Sequence, residues 1–199
     1  MKKISMGGFG VIDLNRLYDV KHAFGFYAEQ LSYPEKTTFH PLVLEGSFDS
    51  SDPAAGYVDT YWQAIHTYSM EDIQELYTST FDFQKESTLF MTYVKYGDSK
   101  ERGQMLAKLK VMYEMFGMDM PPGELSDFLP LMCEFIYAAE WKGDPRAQQS
   151  FGLLLAVLED GSYHLMNALE KFDSPYFHLI KGMRETFKSC ISQEAPANE

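Results

Sequence analysis

Asp127 and Glu134 are the residues whose type and spacing first suggest chemistry. On a helix a separation of seven puts them roughly on one face with Trp141, beside Leu131 and Ala138, as an acidic and apolar strip. Two readings of that strip stand side by side. In one, Asp127 only caps the helix, Glu134 is solvated and Trp141 packs inside. In the other, the strip is a groove for an amphipathic peptide carrying positive charge, with apolar side chains gripping and carboxylates orienting. Met105, Met112, Met115, Met118, Met120 and Met132 crowd the same region. Methionine fills cores and is also overused on surfaces that adapt to a partner helix.

Reactive constellations are missing elsewhere. His22, His40, His66, His164 and His178 include no pair at the i, i+4 spacing of a helical zinc site. Cys133 and Cys190 stand far apart and outside any C-x-x-C, so neither a disulfide framework nor a cysteine metal site is implied. Neither a phosphate-binding G-x-x-x-x-G-K-[ST] nor a G-x-S-x-G elbow occurs, and Gly7-Gly8-Phe9-Gly10 reads as a flexible terminus. Adjacent carboxylates such as Glu71/Asp72 and Glu159/Asp160 point in different directions on a helix, which suits solvation better than acid/base work. The sequence therefore points to a binding protein without cofactor or metal, not to an enzyme.

The elements that must position these residues are helical throughout. Apolar residues recur at helical spacing, and no stretch sustains the two-residue alternation of a half-buried strand. With 199 residues, 45% hydrophobic and 23% charged, the chain reads as one all-α domain over 1–199, a helical bundle with a frayed tail at 193–199. Its formal charge of −12 repels nucleic acid and anionic membrane and favours a basic partner, unless it serves only solubility. Lys2 and Lys3 precede no sustained apolar run, so no signal peptide is read there. The longest apolar runs fall short of the roughly 18 residues of a membrane span, and the expected location is the cytoplasm.

Along the chain, a first helix is expected from Asp13 to Leu31, then an irregular excursion from Glu35 to Gly56 marked by Pro41, Gly46 and Pro53. Helices follow over Tyr57 to Tyr68 and from Ser69, where Asp72 completes a capping box. The next covers Ser87 to Tyr96 and breaks at Gly97. A strong amphipathic helix starts at the D-x-x-E of Asp98 and Glu101 and ends before Gly117. Asp127 is read as the cap of a helix with Pro130 in its first turn, continuing to about Trp141. Asp144-Pro145 opens a helix through Leu158, Gly161 interrupts, another runs from Tyr163 to Phe172, and Ser174-Pro175 opens the last, to about Cys190.

Several phrases together resemble the NarJ family, the assembly chaperones of respiratory nitrate reductase, related to the TorD and DmsD chaperones. They are Leu31-Ser32-Tyr33-Pro34, Leu76 to Phe83, Tyr93 to Leu106 with its E-R-G-Q-M-L, then Tyr113, Gly117 and the E-L-x-D-x-L-P of Glu124 to Pro130. The resemblance spans most of Leu31 to Phe135. It implies a cytoplasmic chaperone that binds the N-terminal segment of the apo catalytic (alpha) subunit between its helices. That subunit is held competent for molybdenum cofactor and iron–sulfur insertion before membrane attachment. The chaperone has no cofactor of its own. Tyr93, Arg102, Glu124, Asp127, Leu129, Glu134 and Phe135 are then the expected peptide-groove residues, with Arg102 also suited to pinning its helix start through Asp98 or another carboxylate. Ser126 and Phe128 depart from the family, which often has Pro at the first position and His or Tyr at the second. A histidine-dependent grip therefore does not carry over. Two other readings are a chaperone for a sulfoxide or amine-oxide reductase and, more distantly, a small hydrolase. A monomer is expected, with a domain-swapped dimer as the alternative.

Overall fold

A computed structural model describes residues 12–191. The glycine cluster at Gly7 to Gly10, the Lys2-Lys3 pair and the tail 193–199 lie outside the described residues.

The chain is all-α. Asp13 caps α1 (Leu14–Asp19) by accepting from the Asn15 N–H at 2.9 Å. The expected single helix Asp13 to Leu31 is broken at Val20, beyond which α2 (Lys21–Gln30) begins. A β-branched residue has somewhat less helix propensity to lose at such a joint. The break lets α1 follow Ile12, which forms an antiparallel bridge with Ile191, while α2 packs along α8. The excursion after Pro34 contains one turn of helix, α3 (Pro41–Leu44), capped by His40. Next come α4 (Ala55–Ile65) and α5 (Met70–Tyr77), the latter opened by the Ser69–Asp72 capping box. A π-helical turn over Thr78–Asp82 and a short 3-10 turn over Lys85–Ser87 lead to α6 (Tyr93–Tyr96).

The expected helix Ser87 to Tyr96 is therefore reduced to one turn. Residues 88–91 are instead drawn straight, because the Met91 N–H donates to the Asp127 carbonyl at 2.9 Å and the Leu129 N–H to the Leu89 carbonyl at 2.9 Å. Gly97, at φ +50°, closes α6 in a conformation that few side chains adopt. α7 (Lys100–Met115) is capped by Ser99, which accepts from the Arg102 N–H at 3.1 Å, in place of the expected Asp98 start.

α8 (Leu129–Ala138), α9 (Pro145–Lys171) and α10 (Tyr176–Ser189) complete the bundle. α8 lies at its centre, with Leu129, Leu131, Met132, Cys133, Phe135 and Ile136 all buried, and it stops short of Trp141. α9 is continuous through Gly161, where an interruption was expected. A Cβ there would come within 2.6 Å of the Met91 carbonyl oxygen, so this glycine admits the straight segment against the helix and does not end it. α10 packs against α4, α9 and α2. One continuous apolar cluster draws on α8, α9 and α10 and on most of the earlier helices, and Met105, Met118 and Met120 pack against it while Met112 and Met132 lie inside it. Most of the methionines noted in the sequence thus serve the core. Among the described residues no helix is long and apolar enough to cross a membrane.

Candidate functional site

Asp127 does not cap α8. That position belongs to Phe128, which makes no side-chain cap hydrogen bond. The Asp127 side chain turns inward instead and is fully buried. An Arg102 terminal nitrogen reaches its two oxygens at 3.2 and 3.3 Å. The Thr92 N–H donates to the same carboxylate at 3.1 Å, and the Thr92 hydroxyl donates to it as well. That hydroxyl in turn accepts from Arg102 Nε at 3.0 Å. A buried carboxylate needs such partners, since an unpaired charge in the interior is strongly destabilising. Arg102 also lies over the ring of half-buried Tyr93, 5.4 Å from its centroid, and 3.9 Å from Asp98. The E-R-G-Q-M-L and E-L-x-D-x-L-P phrases are thus two sides of one joint. Tyr113 reinforces it by donating to the Ser126 carbonyl at 2.7 Å, while the Ser126 hydroxyl donates to the Leu106 carbonyl at 2.7 Å.

The seven residues expected to line a groove do not come together in one. Tyr93, Arg102 and Asp127 meet in the joint. Leu129 and Phe135 are fully buried, and Phe135 packs among Tyr113, Phe116 and Phe151. Glu134 is exposed on the outer side of α8, and Glu124 is half-buried in the turn before it. The strip through Asp127, Glu134 and Trp141 does not form either, because Asp127 and Trp141 are inside and only Glu134 is out.

Exposed apolar side chains gather nearby around Tyr77, whose phenol is buried at the end of α5 and donates to the Leu31 carbonyl at 3.0 Å. Burial first, then the negative charges of Asp82 and Glu124, push that hydroxyl well above the usual tyrosine range. The Tyr33 ring packs edge-on to Tyr77 at 5.6 Å and is 53% exposed. Phe83, next to Asp82, is 78% exposed, and Leu125, next to Glu124, is 37% exposed. Exposed apolar side chains mark a contact surface where they are contiguous. A rim of Tyr33, Phe83 and Leu125 with Asp82 and Glu124 suits a segment that is apolar on one side and basic on the other. Within the phrase Leu76 to Phe83, nothing in the sequence separates the rings of Phe81 and Phe83. The π-helical turn sends Phe81 into the core and Phe83 out.

Among the described residues, no group of three or more His, Cys, Asp and Glu side chains is placed to hold a metal ion. Cys133 is buried, and that burial holds its thiol far above the range in which thiolate forms.

A family model described as the nitrate reductase delta subunit matches residues 50–181, which include the joint and all of the rim except Tyr33. The chain belongs to the nitrate reductase delta subunit family. One relative in this family's range is the probable nitrate reductase molybdenum cofactor assembly chaperone NarJ of Bacillus subtilis, 38% identical over 140 residues, covering 66% of this chain and 72% of that protein. The nitrate reductase molybdenum cofactor assembly chaperone NarJ of Escherichia coli K12 is 34% identical over 113 residues, covering 53% of this chain and 47% of that protein. The nitrate reductase-like protein NarX of Mycobacterium tuberculosis is 29% identical over 110 residues, which cover 55% of this chain but 16% of that much longer protein. In this delta subunit family member, the phrases Tyr93 to Leu106 and Glu124 to Pro130 build the joint between α7 and the entry to α8.

Proposed function

We propose that the protein is an assembly chaperone of a respiratory nitrate reductase, acting on the N-terminal segment of the apo catalytic subunit. The observation that carries this reading is the delta subunit match over residues 50–181, joined by relatives named as molybdenum cofactor assembly chaperones. Such a protein works by binding and release and needs no reactive group of its own. Its task is to cover the segment until molybdenum cofactor and iron–sulfur cluster are in place.

The rim supports the reading chemically. Apolar side chains of the segment would rest on Tyr33, Phe83 and Leu125, and its basic side chains would face Asp82 and Glu124. The net charge of −12 adds long-range attraction that steers encounter more than it tightens the bound state. Titration with a synthetic N-terminal peptide of the catalytic subunit tests this. Saturable one-to-one binding that weakens as salt rises is expected. No saturable binding by a protein with intact helical circular dichroism would remove the chaperone reading.

A further inference from the structure

We infer that Thr92, Arg102 and Asp127 are positioning residues for the docking rim: without touching a bound segment, they fix the place at which Glu124 and Leu125 meet it. This inference rests on the chaperone reading above and on the rim as its docking surface.

The bonds of the joint are directed inward, and the one Arg102 nitrogen outside them, Nη1, faces Asp98 at 3.9 Å. Asp127 receives Arg102 on both oxygens and Thr92 twice on one of them. The Thr92 hydroxyl both donates to Asp127 and accepts from Arg102 Nε. All three residues are at least nine-tenths buried. What the joint transmits is therefore backbone position.

That position is fixed residue by residue. Ser126 is tied to α7 through its carbonyl and its hydroxyl, Asp127 to Met91 through its carbonyl, and Leu129 to Leu89 through its N–H. Immediately before this anchored stretch, Leu125 and Glu124 make local bonds, the Leu125 N–H to the Glu124 carboxylate at 3.0 Å, the Glu124 N–H to the Pro121 carbonyl at 3.2 Å and the Phe128 N–H to the Leu125 carbonyl at 3.0 Å. Their place on the rim is inherited from Ser126 and Asp127. A buried ion pair is a weak source of stability against an apolar alternative, and setting register is its best-attested use. The residues bonded or adjacent to Asp127 here, Leu89, Met91 and Leu129, are buried and apolar.

The test compares Thr92→Val, which keeps the shape of the side chain and loses the bridging hydroxyl, with Thr92→Ser, which keeps the hydroxyl. Titration with the catalytic-subunit peptide should show about tenfold weaker binding for the valine variant and near wild-type binding for the serine variant. The slope of affinity against salt should become slightly shallower for the valine variant, by the contribution of Glu124, and stay unchanged for the serine variant. Adding Glu124→Gln to Thr92→Val should then cost much less than Glu124→Gln costs alone, because the displaced carboxylate no longer meets the peptide. Additive losses, unchanged affinity for the valine variant, or a salt slope unchanged in it would overturn the inference. Amide exchange gives a reading that needs no peptide: Leu125 and Ser126 should exchange faster in Thr92→Val, and unchanged exchange there also overturns it. If the valine variant does not fold, Arg102→Lys decides by the same measurements, since it keeps the charge but loses the planar fork that meets Thr92 through Nε and Asp127 through a terminal nitrogen. Should the wild-type protein fail to bind the peptide, the chaperone reading falls, and the exchange result alone judges the joint.

Discussion

Charge is used in opposite ways at the start of α7 and along the stretch from α3 to the π-helical turn. At the first, one carboxylate and one guanidinium are buried with every oxygen and Nε occupied. Along the second, residues 37–84 carry eight Asp and Glu and no Lys or Arg, out of a net charge of −12 for the whole chain. Seven of those eight are exposed, Asp52 is half-buried, and none has an ion-pair partner among the described residues. Buried charge of the first kind sets geometry and is indifferent to salt. Exposed charge of one sign does little for the fold and much for the approach of a basic partner. The rim lies where the two meet, with Asp82 at the end of the acidic stretch and Glu124 at the edge of the joint.

The comparison breaks most visibly if one half of the buried pair is removed. Arg102→Met leaves Asp127 charged in the interior with Thr92 as its remaining partner, and should cost about 3 to 5 kcal/mol in chemical denaturation. Adding Asp127→Leu should recover most of that loss, because two apolar side chains of similar size relieve both desolvation penalties. A double variant no more stable than Arg102→Met would mean that the pair itself holds the fold together.

How much of this was legible follows the same division. Local signals were read correctly: the Ser69–Asp72 capping box, the cap and proline at Asp144-Pro145, and the closure of α6 at Gly97 all formed. Residues whose role depends on a distant segment were not legible. An aspartate three residues before a proline looks the same whether it caps a helix or turns inward, and its partner Arg102 lies 25 positions earlier. A pinning role for Arg102 through some carboxylate was foreseeable, but not which one. Gly161 reads as a break until Met91 is seen against it, and α6 reads as a full helix until residues 88–91 are seen paired with 127–129. The all-α class survived these errors because it rests on the period of apolar residues along the whole chain.

A middle-sized effect sharpens the other half of the comparison. Asp82→Asn with Glu124→Gln removes rim charges that make no ion pair, so thermal unfolding should stay within about 0.5 kcal/mol of the wild type. Peptide affinity at low salt should fall several-fold, at up to roughly 1 kcal/mol for each exposed charge, and its salt dependence should flatten. Equal affinity at low salt would place the docking surface elsewhere.

The smallest effect separates burial from pairing. Glu140 is paired, accepting from Lys21 Nζ at 2.9 Å and from the Tyr18 hydroxyl, yet it is exposed. The hydrogen bond from Lys21 first, then that from Tyr18, lowers its pKa below the ordinary value of 4.5. A carboxylate lowered on folding lends stability above its unfolded pKa, and that stability is lost as pH falls through the folded value. Thermal unfolding of wild type and Glu140→Gln should therefore differ slightly at neutral pH and converge on acidification below the usual carboxylate range. If pairing alone conferred the importance seen at Asp127, this variant would lose as much as Arg102→Met. A loss near zero leaves burial as the deciding factor: the same ion-pair chemistry fixes the backbone where water is excluded and hardly affects stability where water competes for both partners.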